Sequence, residues 1–153
     1  MILILRTVFA FCLALFVAST VVAAAESPPS IEVWKSPTCG CCGKWVEHLE
    51  ANGFTVKANN TTSSTLQRIK QQAGITEMIA SCHTAKIGGY VIEGHVPASD
   101  IKRLVAEHPD AIGLTVPNMP IGSPGMEQPG GETEAYDVLL VNKDGSLDVF
   151  AKH

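Results

Sequence analysis

Apolar and polar positions alternate along the chain in a way that predicts a mixed α/β unit. Short apolar runs of β-favouring residues are typical of strands, whereas apolar residues spaced three and four apart indicate helices with one buried face. In chain order the pattern predicts a strand at 31–34, a helix at 42–52, a strand at 54–58, a helix at 66–74, strands at 84–87 and 90–93, and a helix at 97–108. The first four elements alternate strand and helix, which favours parallel pairing of their strands.

Two hairpins and one long loop complete the predicted architecture. Gly88-Gly89 permits the positive φ angles of a two-residue turn, so it joins the strands on either side of it as a hairpin. A second hairpin is predicted near the C-terminus, with strands at 136–141 and 147–151. Residues 113–131 are rich in proline and glycine and show no periodicity, which indicates a loop with a role beyond connection. Met78, in a helical segment before the third strand, is expected in the core.

The N-terminal 25 residues have the features of a secretory signal peptide. Arg6 precedes an almost wholly apolar run at 7–22, and the alanines that follow offer a small-residue cleavage site. Residues 26–30 then form a linker, and 31–153 form a single domain. The alternative is a retained membrane anchor, since the run approaches the roughly 20 residues that span a bilayer. Export with cleavage predicts a periplasmic domain that is free of the membrane.

The charge balance argues against two classes of partner. The chain has 11 lysines and arginines against 15 aspartates and glutamates, for a formal net charge of -4. Removal of the leader takes Arg6 with it and makes the remainder more acidic. Such a balance offers no attraction for nucleic acid or an anionic membrane surface, so we expect neither as a partner.

Three of the five cysteines lie within four residues, at Cys39, Cys41 and Cys42, just before the first predicted helix. A helix N-terminus carries unpaired N–H groups and the positive end of a dipole, which favour thiolate over thiol. Cys39 and Cys42 are spaced to close a disulfide, whereas a trans peptide holds the adjacent pair too close. Clustered soft thiolates select Cu(I), Zn(II) or iron–sulfur centres. The alternative is a purely structural disulfide.

Five further residues are candidates to complete such a centre. Cys82 leads into the third strand, and in a thioredoxin-type topology that loop packs beside the N-terminus of the first helix. Met119 and Met126 lie in the proline-rich loop, outside any helical stripe, and thioether sulfur is a soft ligand for Cu(I). His83 and His95 flank the first hairpin and can approach the sulfurs. The alternatives are a buried unreactive cysteine, methionines that fill gaps, and histidines with structural roles.

Four segments together resemble the CopG family of small exported proteins, long known only as a domain of unknown function. They are 35–42 (KSPTCGCC), 81–85 (SCHTA), 89–97 (GYVIEGHVP) and 113–126 (GLTVPNMPIGSPGM). The resemblance implies a thioredoxin-like fold, here a βαβα-ββα domain with a C-terminal Pro/Gly/Met loop and a β-hairpin extension. It also implies an association with copper resistance, and copper held by the cysteines in a multinuclear, thiolate-bridged site.

The leading hypothesis is therefore a periplasmic copper-binding protein. It would hold Cu(I) on its clustered cysteines with help from methionine or histidine, and the ligands named for it are Cys39, Cys41, Cys42, Cys82, Met126, Met119 and His83. Cys39 and Cys42 form the redox pair if cysteine oxidation is coupled to interconversion of Cu(I) and Cu(II). The expected partners are copper ions and another periplasmic copper carrier or exporter.

Two other functions fit part of the sequence. A thiol-disulfide oxidoreductase or isomerase would use the Cys39-x-x-Cys42 pair, but thioredoxin-like enzymes usually carry a proline before the third strand, where this chain has Cys82-His83-Thr84. Exchanging that proline for a sulfur removes an element that docks substrates and adds a ligand. An iron–sulfur electron carrier would use the four cysteines, although export as an unfolded chain argues against it.

Overall fold

The computed structural model describes residues 29–153, which form one seven-stranded sheet with three α-helices and a short 3₁₀ turn. The elements in chain order are β1 (Ser30–Lys35), α1 (Gly40–Ala51), β2 (Thr55–Asn60), α2 (Ser63–Gln72), the 3₁₀ turn (Glu77–Ile79), β3 (Thr84–Ile87), β4 (Tyr90–Glu93), α3 (Ala98–Glu107), β5 (Ala111–Thr115), β6 (Asp137–Asn142) and β7 (Leu147–Lys152). The predicted signal peptide lies outside the described residues. Within 29–153, no helix is long and apolar enough to cross a bilayer.

The sheet is mixed, with the strand order β2-β1-β3-β4-β5-β6-β7. β1 pairs in parallel with β2, and β4 with β5, while the other four neighbouring pairs are antiparallel. The first parallel pair is connected through α1 and the second through α3, because a parallel connection needs a crossover. The predicted α/β class and both predicted hairpins are confirmed by this arrangement.

Helices cover both faces of the sheet. Successive strand residues point to opposite faces, so Ile92 and Val91 of β4 belong to different layers. Ile92 lies in the larger apolar cluster with Trp45 of α1 and Leu104 of α3. Val91 lies in a smaller cluster with Ile79 of the 3₁₀ turn. α1 and α3 therefore pack on one face, and the 3₁₀ turn packs on the other.

Two sequence predictions are wrong in detail. The loop predicted to begin at Gly113 starts three residues later, because β5 adds a buried strand beside β4. The five residues of β5 are too few to show a strand period, and the glycine among them is typical of loops. Met78 is 84% exposed rather than in the core, because the 3₁₀ turn directs the neighbouring Ile79 inward instead.

The junction of β4 and β5 generates a stability prediction at Gly113. A Cβ at this position would lie 1.8 Å from the carbonyl oxygen of Val91, its partner across the parallel ladder. We expect Gly113→Ala to lower the free energy of unfolding by about 3 kcal/mol or more, since two backbones would have to separate. Urea unfolding followed by circular dichroism measures the change.

A matched glycine in α1 serves as the control. A Cβ at Gly43 would meet nothing within 4 Å, and glycine inside a helix is less favourable than alanine. Gly43→Ala should therefore raise the free energy of unfolding by roughly 0.5–1 kcal/mol. Equal effects of the two substitutions would contradict the strand assignment at Gly113.

Candidate metal centre

The N-terminus of α1 presents the three clustered cysteines. Cys39 is the N-cap of the helix, and its Sγ accepts a hydrogen bond from the backbone N–H of Cys42 at 3.4 Å. Cys39 and Cys42 form a disulfide, with their Cα atoms 5.3 Å apart. The Sγ atoms of Cys41 and Cys39 are 3.5 Å apart. Cys41 thus keeps a free thiol beside this disulfide.

Cys82 reaches this loop from the other side. It lies between the 3₁₀ turn and β3, is half-buried, and carries the second free thiol of the described residues. The Sγ atoms of Cys39, Cys41, Cys42 and Cys82 all lie within 4.8 Å of one another. Four sulfurs at this spacing are close enough to share metal ions, which bind thiolate at about 2.3 Å in the case of zinc.

Two histidines add nitrogen donors next to Cys82. Its Sγ lies 3.3 Å from Nδ1 of His83 and 3.1 Å from Nε2 of His95. One ligand atom from each of these three residues falls within a second group spanning no more than 4.8 Å. The centre therefore contains four sulfurs and two imidazoles, with Cys82 common to both groups.

The hydrogen bonding of His95 fixes which nitrogen faces the sulfurs. Its Nδ1 lies 2.8 Å from the carbonyl oxygen of Pro124, an acceptor, so Nδ1 carries the proton and Nε2 is left with a lone pair toward Cys82. Burial lowers the pKa of His95 below its ordinary value. A neutral imidazole held by a carbonyl through its other nitrogen is the usual arrangement of a metal-ligating histidine.

His83 is fully buried and packs against Trp45, with ring centroids 4.3 Å apart. Burial first, and then the nearby His95 and Lys70, hold the pKa of His83 well below its ordinary value. Its Nε2 has no hydrogen-bond partner among residues 29–153. Both imidazoles are therefore neutral, and neither adds positive charge that would repel a metal cation.

The thiol of Cys82 is protonated at neutral pH. Burial, and after it repulsion from the neighbouring Cys41, raise the pKa of Cys82 to about 12. At neutral pH, a bound cation favours thiolates at both Cys41 and Cys82, because it offsets the repulsion between their negative charges.

The loop between β5 and β6 packs against the start of α1. A Cβ at Gly125 would lie 2.7 Å from the carbonyl oxygen of Cys41 and 2.9 Å from the backbone nitrogen of Trp45, so only glycine allows this approach. Met126 follows directly and is half-buried, whereas Met119 is 46% exposed. Met126 therefore directly follows a residue that packs against the cysteine-bearing start of α1.

His95 was a candidate from the sequence, as His83 was, but only His83 was included among the predicted copper ligands. A signal for His95 was present. In a hairpin that turns at Gly88-Gly89, residues 84 and 93 pair, as they do in the structure. Extending that register by two residues places 82 opposite 95. The buried charged side chains Lys70 and Glu93 carried no comparable signal.

The fold and this centre define an α/β protein with a cysteine- and histidine-lined site suited to a soft metal ion. A family model described as "Protein of unknown function, DUF411" matches residues 79–126. Two solved structures, titled copper resistance protein CopG in Form 1 and Form 2, are each 42% identical to this chain. Each comparison covers 82% of this chain and 98% of the other, with a TM-score of 0.76. No curated protein matches. The chain belongs to the family of the copper resistance protein CopG.

The raised pKa of Cys82 generates a prediction for its alkylation. Thiolate is the reacting form, so a pKa raised to about 12 leaves far less thiolate at pH 8 than an ordinary cysteine has. In the metal-free, disulfide-bonded protein, iodoacetamide should modify Cys82 about a hundredfold or more slowly than in urea-unfolded protein. Mass spectrometry of the peptide that carries Cys82 follows the rate.

The pH dependence and one variant complete this test. The alkylation rate should keep rising above pH 10 instead of levelling near pH 9, the region expected for an ordinary thiol. Cys41→Ser removes the contribution of Cys41 to the raised pKa of Cys82 and should speed the reaction, although burial keeps it slower than in the unfolded protein. A plateau near pH 9 in the folded wild type would contradict the assignment.

Proposed function

We propose that this protein is an exported copper-binding protein of copper resistance that holds Cu(I) on its clustered cysteines. The observation that carries the proposal is the convergence of four sulfurs, from Cys39, Cys41, Cys42 and Cys82, within 4.8 Å of one another. The two copper resistance protein structures that resemble this chain along most of its length support copper as the ion.

Cu(I) suits this ligand set better than harder ions do. Thiolate and thioether are soft ligands that select Cu(I), whereas oxygen ligands suit magnesium or calcium. Sulfurs this close repel one another as thiolates, so several monovalent ions bridged by shared sulfurs balance the charge more fully than one ion does. In this proposal His95 and His83 supply neutral nitrogens, and Met126 or Met119 supplies a thioether from the adjoining loop.

The same cysteines support a redox extension of the binding role. With Cys39 and Cys42 reduced, two thiols give up two electrons and two protons to form the disulfide, while two Cu(II) ions become two Cu(I). The reverse direction reduces the disulfide with two Cu(I) ions and releases two Cu(II). The disulfide between Cys39 and Cys42 supports this pairing as the redox couple.

Location and partners follow from the proposed export. The leader predicted at 1–25 would direct the chain to the periplasm, an oxidising compartment in which a disulfide persists. There the protein would exchange copper with another carrier or exporter.

The element order around the cysteine loop supports a thioredoxin-like core, βαβα followed by ββα, to which β5 and the C-terminal hairpin are added.

Titration with Cu(I) tests the binding role. The fully reduced protein should bind Cu(I) in competition with a chromogenic Cu(I) chelator. Cys82→Ser should lower the affinity by about tenfold or more, because the site loses the one sulfur that comes from outside the cysteine loop. Met78→Leu is a matched control, since this thioether is 84% exposed in the 3₁₀ turn and lies outside the proposed ligand set. Unchanged affinity in Cys82→Ser would remove Cys82 from the site.

The redox extension predicts a fixed stoichiometry. On anaerobic addition of Cu(II) to the reduced protein, about two Cu(II) ions should be consumed for each disulfide formed between Cys39 and Cys42, because each ion accepts one electron. Electron paramagnetic resonance counts the remaining Cu(II), and peptide mapping identifies the disulfide. Cys39→Ser is the control and should form no such bond. A disulfide joining Cys41 to Cys82 instead would contradict the assigned couple.

A thiol-disulfide oxidoreductase is the second candidate function. It is favoured by the same disulfide at a helix N-terminus, where Cys39 is partly exposed and Cys42 is fully buried, as in an attacking and resolving pair. Reduction of insulin disulfides by the metal-free reduced protein, lost in Cys39→Ser and unchanged in Cys82→Ser, would support it over copper binding.

A further inference from the structure

A buried ion pair lies on the face of the sheet opposite to α1, outside the proposed ligand set. Glu93, the last residue of β4, is fully buried and pairs with Lys70 of α2, which is 5% exposed. The Oγ1 of Thr84 accepts from Nζ of Lys70 at 2.9 Å and donates to Oε2 of Glu93 at 2.7 Å. Burying two charges in this way often stabilises a protein no more than apolar side chains of similar volume would.

The carboxylate of Glu93 accepts hydrogen bonds from residues on both sides of Cys82. Its Oε1 accepts the backbone N–H of Ser81 at 2.6 Å, one residue before Cys82. Its Oε2 accepts from Thr84, two residues after Cys82. A single charged side chain therefore holds both ends of the short segment from which Cys82 projects toward the other sulfurs.

We infer that Glu93, with its charge balanced by Lys70, is a positioning residue that sets the place of Cys82 in the metal centre. This inference rests on the proposed function, because it assigns a task to the centre's fourth sulfur. A hydrogen bond from a backbone N–H to a carboxylate is strong and directional, so it restricts the backbone of the Ser81–Thr84 segment more tightly than apolar packing does. Burial raises the pKa of Glu93, and the ion pair with Lys70 and the hydrogen bonds from Ser81 and Thr84 oppose that shift.

Two double variants separate positioning from plain stability. Lys70→Met with Glu93→Gln removes both charges but keeps an amide oxygen able to accept from Ser81. Lys70→Met with Glu93→Leu removes both charges and the acceptor. The two proteins differ in one side chain, and in each of them Cys82→Ser is then added. Cu(I) affinity is measured by chelator competition, and metal-free melting is measured by circular dichroism.

The expected result is a loss of coupling only where the acceptor is missing. In the Gln background, affinity should stay near that of the wild type, and Cys82→Ser should lower it by about tenfold or more. In the Leu background, the Cu(I) affinity should already be lower by about tenfold. Adding Cys82→Ser should lower it by less than a further factor of about two, because a displaced sulfur no longer contributes to binding. The same loss on Cys82→Ser in both backgrounds would overturn the inference.

A second pair of variants covers the case in which the Leu variant does not fold. Ser81→Pro deletes the N–H donor and leaves Glu93, Lys70 and Thr84 unchanged, while Ser81→Ala controls for the lost hydroxyl. Proline is compatible with the preceding residue, since Ala80 is already extended with φ -74° and ψ 151°. Ser81→Pro should lower the Cu(I) affinity by about tenfold, and adding Cys82→Ser to it should lower the affinity little further. Wild-type affinity in Ser81→Pro would overturn the inference.

The outcomes also separate this inference from the proposed function. If Cys82→Ser has no effect on Cu(I) binding in the wild type, Cys82 is not a ligand, and the proposed site fails together with the inference. If Cys82→Ser is costly in the wild type and equally costly in the Leu background, the site stands and only the positioning role of Glu93 fails.

Discussion

The antiparallel pairing of β1 with β3 is the constraint on which the centre depends. Trp34 of β1 lies opposite Thr84 of β3, so the end of one strand meets the start of the other. Cys39 follows Trp34 by five residues, and Cys82 precedes Thr84 by two. Two segments more than forty residues apart in the chain therefore arrive at the same edge of the sheet. With parallel pairing of these strands, Cys82 would lie at the opposite edge.

Three further contacts hold the cysteine loop next to the segment around Cys82 and His95. Trp45 of α1 is fully buried, and its Nε1 donates to the carbonyl oxygen of Val96 at 2.9 Å, one residue after His95. The loop after β5 reaches His95 through the carbonyl oxygen of Pro124 and reaches α1 through Gly125. The N-terminus of α1, where three of the sulfurs lie, is thereby tied to the segment that carries the His95 imidazole. The ligand atoms lie close together because the segments that carry them are packed against one another.

The chemistry of the centre follows from the competition between two bonds to sulfur. Cys39 and Cys42 either share a disulfide or offer two thiolates to a metal, because one sulfur cannot do both fully. The disulfide removes two of the four negative charges that the reduced centre could carry, and the high pKa of Cys82 removes a third at neutral pH. The oxidised centre therefore carries at most one negative charge at neutral pH, whereas the reduced centre can carry more and attracts cations more strongly. In the proposed function, this coupling of electrons to charge links copper binding to the state of the cysteines.

The sequence by itself determined the local features of this protein. The α/β class, the two hairpins, the cysteine loop at a helix N-terminus and the Cys39 and Cys42 spacing all depend on contacts within a few residues, which period and turn composition report directly. The register at Gly88-Gly89 even carried the pairing of 82 with 95. Only the tertiary structure decided the strand β5, the outward position of Met78, the tautomer of His95 and the role of Glu93 with Lys70. Each of these is set by partners distant in the chain, through burial and hydrogen bonds that no local pattern records.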